Sequence, residues 1–306
     1  MNLLKLFEVS QEYQANLNKI NLEINNIQWS YYDNKNTTIY ETDDKPIIII
    51  FHGFQSNKKF LWYPILKKLT NHFRIIIPDM LGHGDTKILS DIDTFDFSIK
   101  HIIFQLKEFI YNVIGKNKQF NLIGSSLGGL FACMLSVVYP KNIISLTLYT
   151  TAGISKNNLL VEIYNKNKIN LLVPGNVDDL LLLAELVFYN KPYINKFLLR
   201  KFKFDDHMSK RNTYLKILIQ TILPNITILK NYIKKIKQPI LIIWGKYDKI
   251  LDVSDVEYMK KELSSNVEIH ILDRCGHLVH YEYPDICAKY TKFHILRSIN
   301  NIKKNN

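Results

Sequence analysis

Cysteine is scarce in this sequence, with three residues among 306, and the three are not spaced as pairs. Cys133, Cys275 and Cys287 therefore predict no disulfide framework, and a low, odd count is typical of a reducing compartment. The His, Cys and Asp residues also form no cluster with the spacing of metal ligands. We accordingly expect a protein that has no disulfide and that needs no metal or other cofactor.

Long apolar runs are also missing. No run of the sequence is long enough to span a bilayer. The opening residues, MNLLKLFEVSQEYQ, lack the continuous apolar segment of a secretory signal because Lys5 and Glu8 interrupt it. These two absences predict a cytoplasmic protein.

Acidic residues are outnumbered by basic ones, 28 against 40, which gives a formal net charge of +12. The lysines are scattered along the chain and no recognition motif accompanies them, so nucleic-acid binding is not expected. A solvated, lysine-rich surface is the simpler interpretation of this charge. The alternative is attraction to an anionic membrane surface, which would suit a lipid substrate and place the protein at the membrane periphery.

What the sequence does contain is a series of short apolar runs rich in β-branched residues. Such runs are typical of strands that are buried on both faces of a parallel sheet. The predicted strands are 47–51, 74–78, 119–123, 143–148, 239–244 and 267–272, and segments with helical spacing lie between them at 95–113 and 127–139. Residues 23–40 add one or two antiparallel strands at the start. This alternation predicts an α/β fold with a mostly parallel central sheet and helices on both faces.

Residues 154–236 interrupt the alternation of strands and helices. They are helical in pattern, with a leucine-rich centre at 179–185. Because an apolar helical segment beside a site can cover that site, we predict that 154–236 is a helical cap. The cap is inserted into a core domain made of 1–153 and 237–306. Additional core is the alternative interpretation of the segment.

Ser126 is the central serine of Gly124-Ser-Ser-Leu-Gly128, which fits the pattern G-x-S-x-G in one register only. The motif follows a predicted strand and opens a predicted helix, and this is the context in which it marks a nucleophile. A turn this tight strains the central residue and needs small residues two positions before and after it, which Gly124 and Gly128 supply. We predict that Ser126 is a nucleophile and that Ser125 shapes the turn. A loop without catalytic meaning is the alternative.

A serine hydroxyl needs a base to act at neutral pH, and the base needs an acid to orient it. In this strand–turn–helix architecture the acid, and then the histidine, follow the serine along the chain. Asp248 and His277 come just after two predicted strands, at the sheet edge that also carries Ser126. We therefore predict Asp248 as the acid and His277 as the base.

Other side chains compete for these two roles. Asp252 and Asp255 are alternative acids, but the segment around them is typical of a helix start, where one of them would serve as an N-cap. Asp273 is a further candidate acid, close to the end of a predicted strand. His280 is an alternative base, but the glycine that precedes His277 favours a tight loop there.

The tetrahedral intermediate of an acyl transfer also needs hydrogen-bond donors for its oxyanion. One expected donor is the backbone N–H of Leu127, the residue after the nucleophile, and the other lies in the loop after the first parallel strand. In that loop the N–H of Phe54 is the best candidate, while Gly53 lets the backbone approach and His52 braces the turn. The glycine-rich stretch 78–85 lacks the lysine and the glycine spacing of phosphate loops, so we expect it to pack beside the site.

Taken together and in order, these motifs resemble the α/β-hydrolase superfamily over almost the whole chain. The matching stretches are HGF at 52–54, PDMLGHGDT at 78–86, GSSLGG at 124–129, WGKYD at 244–248 and CGH at 275–277. Similarity to monoacylglycerol lipases and small bacterial lipases is carried by three longer stretches, 174–192, 235–263 and 267–284. The resemblance implies a serine lipase or esterase with a helical cap over an apolar acyl pocket. The resemblance assigns the roles of the catalytic triad to Ser126, Asp248 and His277. It assigns the oxyanion hole to Phe54 and Leu127.

The leading expectation is hydrolysis of carboxylic esters of lipid-like acids through an acyl-enzyme at Ser126. Hydrolysis of a carbon–carbon bond in a ring-cleavage diketone is an alternative that uses the same triad. A ligand-binding protein without catalysis is a third reading, and the intact Ser, Asp and His set argues against it. An enzyme with an aspartate nucleophile is disfavoured because Ser126 holds the nucleophile position.

Overall fold

Nine strands of the part of the chain that the structure describes form one sheet. The computed structural model describes residues 17–35, 45–59, 61–154, 172–174, 176–192, 215, 220–263 and 266–305. The strands are β1 (Asn18–Ile24), β2 (Ile27–Asp33), β3 (Ile47–Phe51), β4 (Arg74–Pro78), β5 (Lys87–Ile88), β6 (Phe120–Ser125), β7 (Ile143–Tyr149), β8 (Ile240–Gly245) and β9 (Val267–Leu272). Their order across the sheet is β1-β2-β4-β3-β6-β7-β8-β9, with β5 paired to β2. Every pair from β4 to β9 is parallel, which confirms the predicted mostly parallel sheet.

The parallel strands form where the short apolar runs were predicted. β6 and β8 are buried along their whole length, and β3 and β4 are buried except at their first residue, as expected for strands covered on both faces. β6, β7 and β8 extend one or two residues beyond their predicted ends. Their pairing continues at those ends up to Ser125 with Tyr149 and Gly245 with Leu272. The extension carries the sheet up to the loops that hold the site.

The first two strands form an antiparallel hairpin in full register from Asn18 with Asp33 to Ile24 with Ile27. Asn25 and Asn26 make the turn with φ of 52° and 59°, and this left-handed pair suits the right-handed twist of the strands. Asparagine tolerates that conformation better than most residues. Of the one or two antiparallel strands predicted within 23–40, β2 is confirmed, whereas β1 lies mostly before this range and 36–40 lies outside the described residues.

Helices cover both faces of the sheet. They are α1 (Tyr63–Leu69), α2 (Ile99–Ile114), α3 (Leu127–Val138), α4 (Val177–Val187), α5 (Asp255–Glu262), α6 (Val279–Glu282) and α7 (Pro284–Asn305). Apolar residues of α2, α3 and α5 form one core with one face of the sheet. Residues of α1 and α7 form a second core with the other face. This layering keeps the sheet buried and leaves the loops at its carboxyl edge to form a site.

The start of α2 differs from the sequence expectation, because the helix predicted over 95–113 begins at Ile99. The side chain of Asp96 accepts a hydrogen bond from the amide of Ser98 at 2.7 Å. Ser98 is then the N-cap, and its hydroxyl accepts from the amide of His101 at 3.2 Å. These two local bonds hold the preceding residues out of the helix.

The segment 154–236 is described only in part, at 154, 172–174, 176–192, 215 and 220–236. Within it α4 starts at the N-cap Asn176, whose side chain accepts from the amide of Asp179 at 2.9 Å. The division of the chain into core and cap stays a prediction, and the reading of the first 16 residues lies outside the described residues. Among the helices that the structure describes, none combines the length and apolarity needed to cross a membrane.

Candidate active site

Ser126 occupies a strained turn between β6 and α3. Its φ is 54° and its ψ is −118°, in a region that residues with a side chain rarely adopt. The surrounding backbone holds it there, because its amide donates to the carbonyl of Tyr149 at 2.9 Å. Its carbonyl in turn accepts from the amides of Gly129 at 3.0 Å and Ala152 at 3.1 Å. The turn therefore holds the serine at the carboxyl edge of the sheet.

Gly124 and Gly128 are required by close backbone contacts in this turn. A β-carbon on Gly124 would lie 2.5 Å from the carbonyl oxygen of Gly128 and 2.6 Å from the α-carbon of Gly129. A β-carbon on Gly128 would collide with the carbonyl of Phe51, at the end of β3. The glycines thus allow β3, β6 and α3 to meet at the serine.

The acid and base predicted from sequence are hydrogen-bonded to each other. His277 Nδ1 lies 2.7 Å from Asp248 Oδ2. The other carboxylate oxygen of Asp248 accepts from the amides of Ile250 at 2.7 Å and Leu251 at 3.0 Å. The Asp248 side chain is 0% exposed and that of His277 is 7% exposed. A buried carboxylate in this position holds the proton on Nδ1 and leaves Nε2 available as a base.

The backbone of His277 is anchored on two sides. Its amide donates to the carbonyl of Val187, the last residue of α4, at 2.8 Å. Its carbonyl accepts a hydrogen bond from the hydroxyl of Thr150 at 2.9 Å. The loop that carries His277 therefore bridges the carboxyl edge of the sheet and helix α4.

The loop after β3 lies directly against Ser126. A β-carbon on Gly53 would be 3.2 Å from the Cβ atom and 3.8 Å from the Oγ atom of Ser126. In the part of the chain that the structure describes, neither the amide of Phe54 nor that of Leu127 donates a hydrogen bond. Leu127 opens α3, where the helix dipole adds to the attraction for negative charge. These two amides are thus without a hydrogen-bond partner within the described residues.

His52 braces this loop, as its sequence position predicted. Its Nε2 atom accepts from the amide of Met80 at 2.9 Å, and this assigns the ring proton to Nδ1. Nδ1 then donates to the carbonyl of Gly53 at 2.8 Å. The imidazole therefore ties the loop after β3 to the glycine-rich stretch 78–85, which packs beside the site as expected.

Ser126 and His277 lie on the wall of one cavity of about 260 Å³. Phe54 and Ser125 lie on the same wall. Most of the other lining is apolar, with Leu172, Leu180, Leu183, Ala184, Val187, Phe188 and Ile250. Four of these residues belong to α4, so the helix presents an apolar face to the predicted nucleophile. The cavity can hold an apolar chain next to a hydroxyl nucleophile and a base.

Comparison with known proteins bears on the fold and the family of this chain. A family model described as the alpha/beta hydrolase fold matches residues 46–185. Human monoacylglycerol lipase ABHD6 is 30% identical over 272 residues, which cover 85% of this chain and 78% of the human protein. The chain belongs to the α/β-hydrolase family. Its relatives are named as lipases and hydrolases, and it is a hydrolase.

Two further known proteins match nearly the whole length of this α/β-hydrolase. Lipase 1 of Psychrobacter immobilis is 25% identical over 298 residues, which cover 94% of this chain and 88% of the bacterial protein. The crystal structure of a membrane phospholipase A, described as a novel bacterial virulence factor, superposes with a TM-score of 0.84 at 23% identity. That match covers 97% of this chain and 92% of the phospholipase chain. The last comparison shows the shared fold.

The alternative acids of the α/β-hydrolase lie elsewhere. Asp273 is largely exposed and pairs with Lys246 at 3.3 Å. Asp252 accepts from the amide of Ser254 at 2.8 Å in the turn before α5. The expectation that Asp252 or Asp255 is the N-cap of this helix is wrong, because Ser254 is the N-cap and Asp255 is the first helical residue. The turn bond of Asp252 places the N-cap two residues, and the first helical residue three residues, after this aspartate.

A charged network that was not predicted from the sequence lies beside the loop after β3, and its Lys58 and Asp79 are buried. Lys58 Nζ pairs with Asp79 and lies 3.1 Å from both Asp85 Oδ2 and Ser30 Oγ. The amide of Lys58 donates to Asp79 Oδ1 at 2.8 Å, and the amide of Asp85 donates to Oδ2 at 2.7 Å. This network joins the loop that carries Phe54 to the stretch 78–85. Its members are far apart along the chain, and no local pattern in the sequence marks Lys58.

The charges around Asp85 decide its ionisation. Burial raises the pKa of Asp85, but a hydrogen bond from Lys19 and the charges of Lys58 and Lys59 outweigh burial and lower this pKa well below its usual value. The carboxylate is therefore ionised near neutral pH.

Glu282 is a second residue that the sequence analysis missed. Its carboxylate accepts from the amide of Gly276 at 2.8 Å, next to His277. It also accepts from the amides of Tyr189 at 3.1 Å and Asn190 at 2.9 Å, just after α4. One carboxylate thus holds the loop of His277 and the end of the cavity-lining segment together. The only sequence signal is an acidic residue five positions after the predicted base.

Proposed function

We propose that this α/β-hydrolase cleaves carboxylic esters of lipid-like acids through an acyl-enzyme at Ser126. The observation that carries the proposal is the strained serine on the wall of an apolar cavity that His277, hydrogen-bonded to Asp248, also lines. Two further points support it. The α4 face offers apolar surface to an acyl chain, and the relatives include proteins named monoacylglycerol lipase and lipase.

In the proposed reaction His277 Nε2 takes the proton of the Ser126 hydroxyl as its oxygen attacks the ester carbonyl. The amides of Phe54 and Leu127 donate to the oxyanion of the tetrahedral intermediate. His277 then gives the proton to the leaving alcohol and the acyl-enzyme remains. Water, deprotonated by the same imidazole, releases the acid and restores the serine. Asp248 stabilises the imidazolium that forms in each half of the reaction.

The test is hydrolysis of p-nitrophenyl esters from acetate to palmitate, and of monoacylglycerols, by the wild-type protein, Ser126→Ala and Ser125→Ala. We expect Ser126→Ala to lower kcat by roughly four to six orders of magnitude. Ser125→Ala is the matched control because Ser125 is the neighbouring buried serine on the same cavity wall. It should retain most of the activity, and a fluorophosphonate reagent should label the wild type and Ser125→Ala but not Ser126→Ala.

Three results would contradict the proposal. The first is a folded wild-type protein that hydrolyses none of these esters. The second is activity that survives in Ser126→Ala. The third is turnover of ring-cleavage diketones in the absence of ester turnover, which would indicate carbon–carbon bond hydrolysis by the same residues.

A further inference from the structure

Glu282 joins the loop of the predicted base to the segment that follows α4. Its Oε1 atom accepts from the amide of Gly276 at 2.8 Å, one residue before His277. Its Oε2 atom accepts from the amides of Tyr189 at 3.1 Å and Asn190 at 2.9 Å. A carboxylate makes stronger hydrogen bonds with backbone amides than a neutral acceptor does. One side chain therefore holds two parts of the chain that are far apart in sequence.

Helix α6 (Val279–Glu282) gives this carboxylate a fixed position. Val279 is fully buried. His280, the alternative base, lies on the same helix and is 2% exposed. Its ring stacks on the indole of Trp62 with a centroid distance of 4.2 Å and an interplanar angle of 22°. These contacts pack α6 against the core, so that Glu282 reaches both of its neighbours from one well-held element.

The loop of His277 and the end of α4 also touch directly. A β-carbon on Gly276 would lie 2.7 Å from the amide nitrogen of Tyr189 and 2.8 Å from the carbonyl oxygen of Val187. The same carbonyl accepts from the amide of His277 at 2.8 Å. No side chain fits between the loop and the end of the helix. Because such close packing transmits strain, a shift of the helix end shifts the backbone of His277 as well.

Val187 belongs both to the wall of the cavity and to this contact. It lines the cavity together with Leu180, Leu183 and Ala184 of the same helix, and its carbonyl holds the amide of His277. An acyl chain that lies along α4 therefore packs beside the residue that fixes the backbone of the base. Binding energy from a part of the substrate that does not react can serve to orient the reacting groups. Misplacement by about 1 Å can cost about 100-fold in rate, so even a small gain in order at the base raises turnover.

We propose that Glu282 is a positioning residue that couples the apolar face of α4 to His277, so that an acyl chain on this face raises turnover as well as binding. The inference rests on the proposed function. Glu282 is not among the described residues that line the cavity, and it acts through the backbone of the loop and of the helix end. An acyl chain on α4 holds the helix end in place, and Glu282 transmits this order to the base. An acetyl group has no chain to lie along α4 and does not use this link.

The test compares p-nitrophenyl decanoate with p-nitrophenyl acetate in mixed micelles of the same composition. The leaving group is the same, and His277 serves both halves of the proposed reaction, so kcat reports on the base whichever half is slower. We expect the wild-type kcat to be higher for the decanoate. Glutamine has a single acceptor oxygen and can hold one side of the contact only. Glu282→Gln should therefore lower kcat for the decanoate about tenfold, with its KM within about twofold and kcat for the acetate within about threefold.

Glu185→Gln is the matched control. Glu185 lies in the last turn of α4, and its Oε1 atom pairs with Lys191 Nζ at 2.6 Å. It is not among the described residues that line the cavity. Its replacement should leave the ratio of the two kcat values unchanged. Should Glu282→Gln fold poorly, Glu282→Asp, whose carboxylate is one methylene too short to reach both sides, is compared with the wild type by the same ratio. This ratio does not depend on the folded fraction.

The outcomes separate the two proposals. A loss of kcat that is selective for the decanoate supports the coupling. Equal losses of kcat for both esters, no loss, or a change in KM alone overturn the role of Glu282 and leave the ester hydrolase in place. A wild-type kcat that is no higher for the decanoate than for the acetate overturns it as well. If the wild type hydrolyses neither ester, the proposed function fails and the inference that rests on it fails too.

Discussion

Replacement of Lys58 by methionine removes one charge from the buried network beside the loop after β3, with a side chain of similar length. Lys58 is 0% exposed and its partner Asp79 is 1% exposed. The methionine would leave the Asp79 carboxylate buried with two backbone amides as donors but without its counter-ion. It would also leave the Ser30 hydroxyl without the ammonium that donates to it.

The size of the effect follows from these contacts. Removal of one partner from a buried ion pair typically costs about 3–5 kcal/mol, because the other charge stays desolvated. The two amides continue to stabilise Asp79, so we expect the lower end, a loss of about 3 kcal/mol in the free energy of unfolding. Lys59 is the matched control, since its side chain is 20% exposed and its Nζ lies 3.9 Å from Asp85. Lys59→Met should cost no more than about 1 kcal/mol, as for a surface pair.

The assay is urea denaturation at pH 7, followed by tryptophan fluorescence and circular dichroism, with the free energy extrapolated to water. The double variant Lys58→Met with Asp79→Asn removes both charges. We expect it to lose less stability than the sum of the two single variants, because no uncompensated charge remains. The reasoning is refuted if Lys58→Met and Lys59→Met have the same stability, or if the double variant shows no coupling.

Two further predictions concern the aspartates. Asp248→Asn should lower kcat on a p-nitrophenyl ester by about 10⁴-fold, because His277 loses the tautomer that Asp248 imposes. The control Asp273→Asn changes an exposed aspartate, and its kcat should stay within about twofold of the wild-type value. Equal losses of kcat in the two variants would argue against Asp248 as the acid. Asp85 has a lowered pKa in the folded protein, so its charge stabilises the fold above the unfolded pKa of about 4, and the stabilisation is lost as the pH falls towards the folded value. Asp85→Asn should therefore be less stable than the wild type in urea denaturation at pH 7, with a gap that narrows below about pH 4; a gap independent of pH would contradict this linkage.

The strained turn at Ser126 and the strands around it were predictable because their sequence signals are local. A β-branched run such as 47–51 favours a strand wherever it lies, and burial on both faces explains why it carries no polar residue. The glycines at 124 and 128 indicate close backbone contacts, because a β-carbon at either position would collide with neighbouring backbone atoms. The hydrogen bond between Asp248 and His277 joins residues that both follow strands, so the strand order was enough to bring them to one edge.

The start of α2 and the N-cap of α5 were predicted less well, although their determinants are also local. At both places polar side chains compete with the helix for backbone amides, as Asp96 does for Ser98 and Asp252 does for Ser254. The apolar spacing extends into residues that these bonds keep out of the helix. Periodicity therefore indicates that a helix exists, and capping bonds decide the residue at which it begins.

The sequence by itself determined the α/β architecture, the strained turn at the serine and the order of the proposed nucleophile, acid and base, because these depend on local backbone geometry and on burial patterns. Only the tertiary structure decided which distant polar side chains meet. It placed Lys58 against Asp79, Glu282 between two loops, and His280 on Trp62 beside the cavity. Such contacts depend on how the layers of the fold pack. The identity of a lysine, a glutamate or a histidine in the sequence does not show whether its side chain is solvated or buried. Burial and the partners found there give these residues their roles.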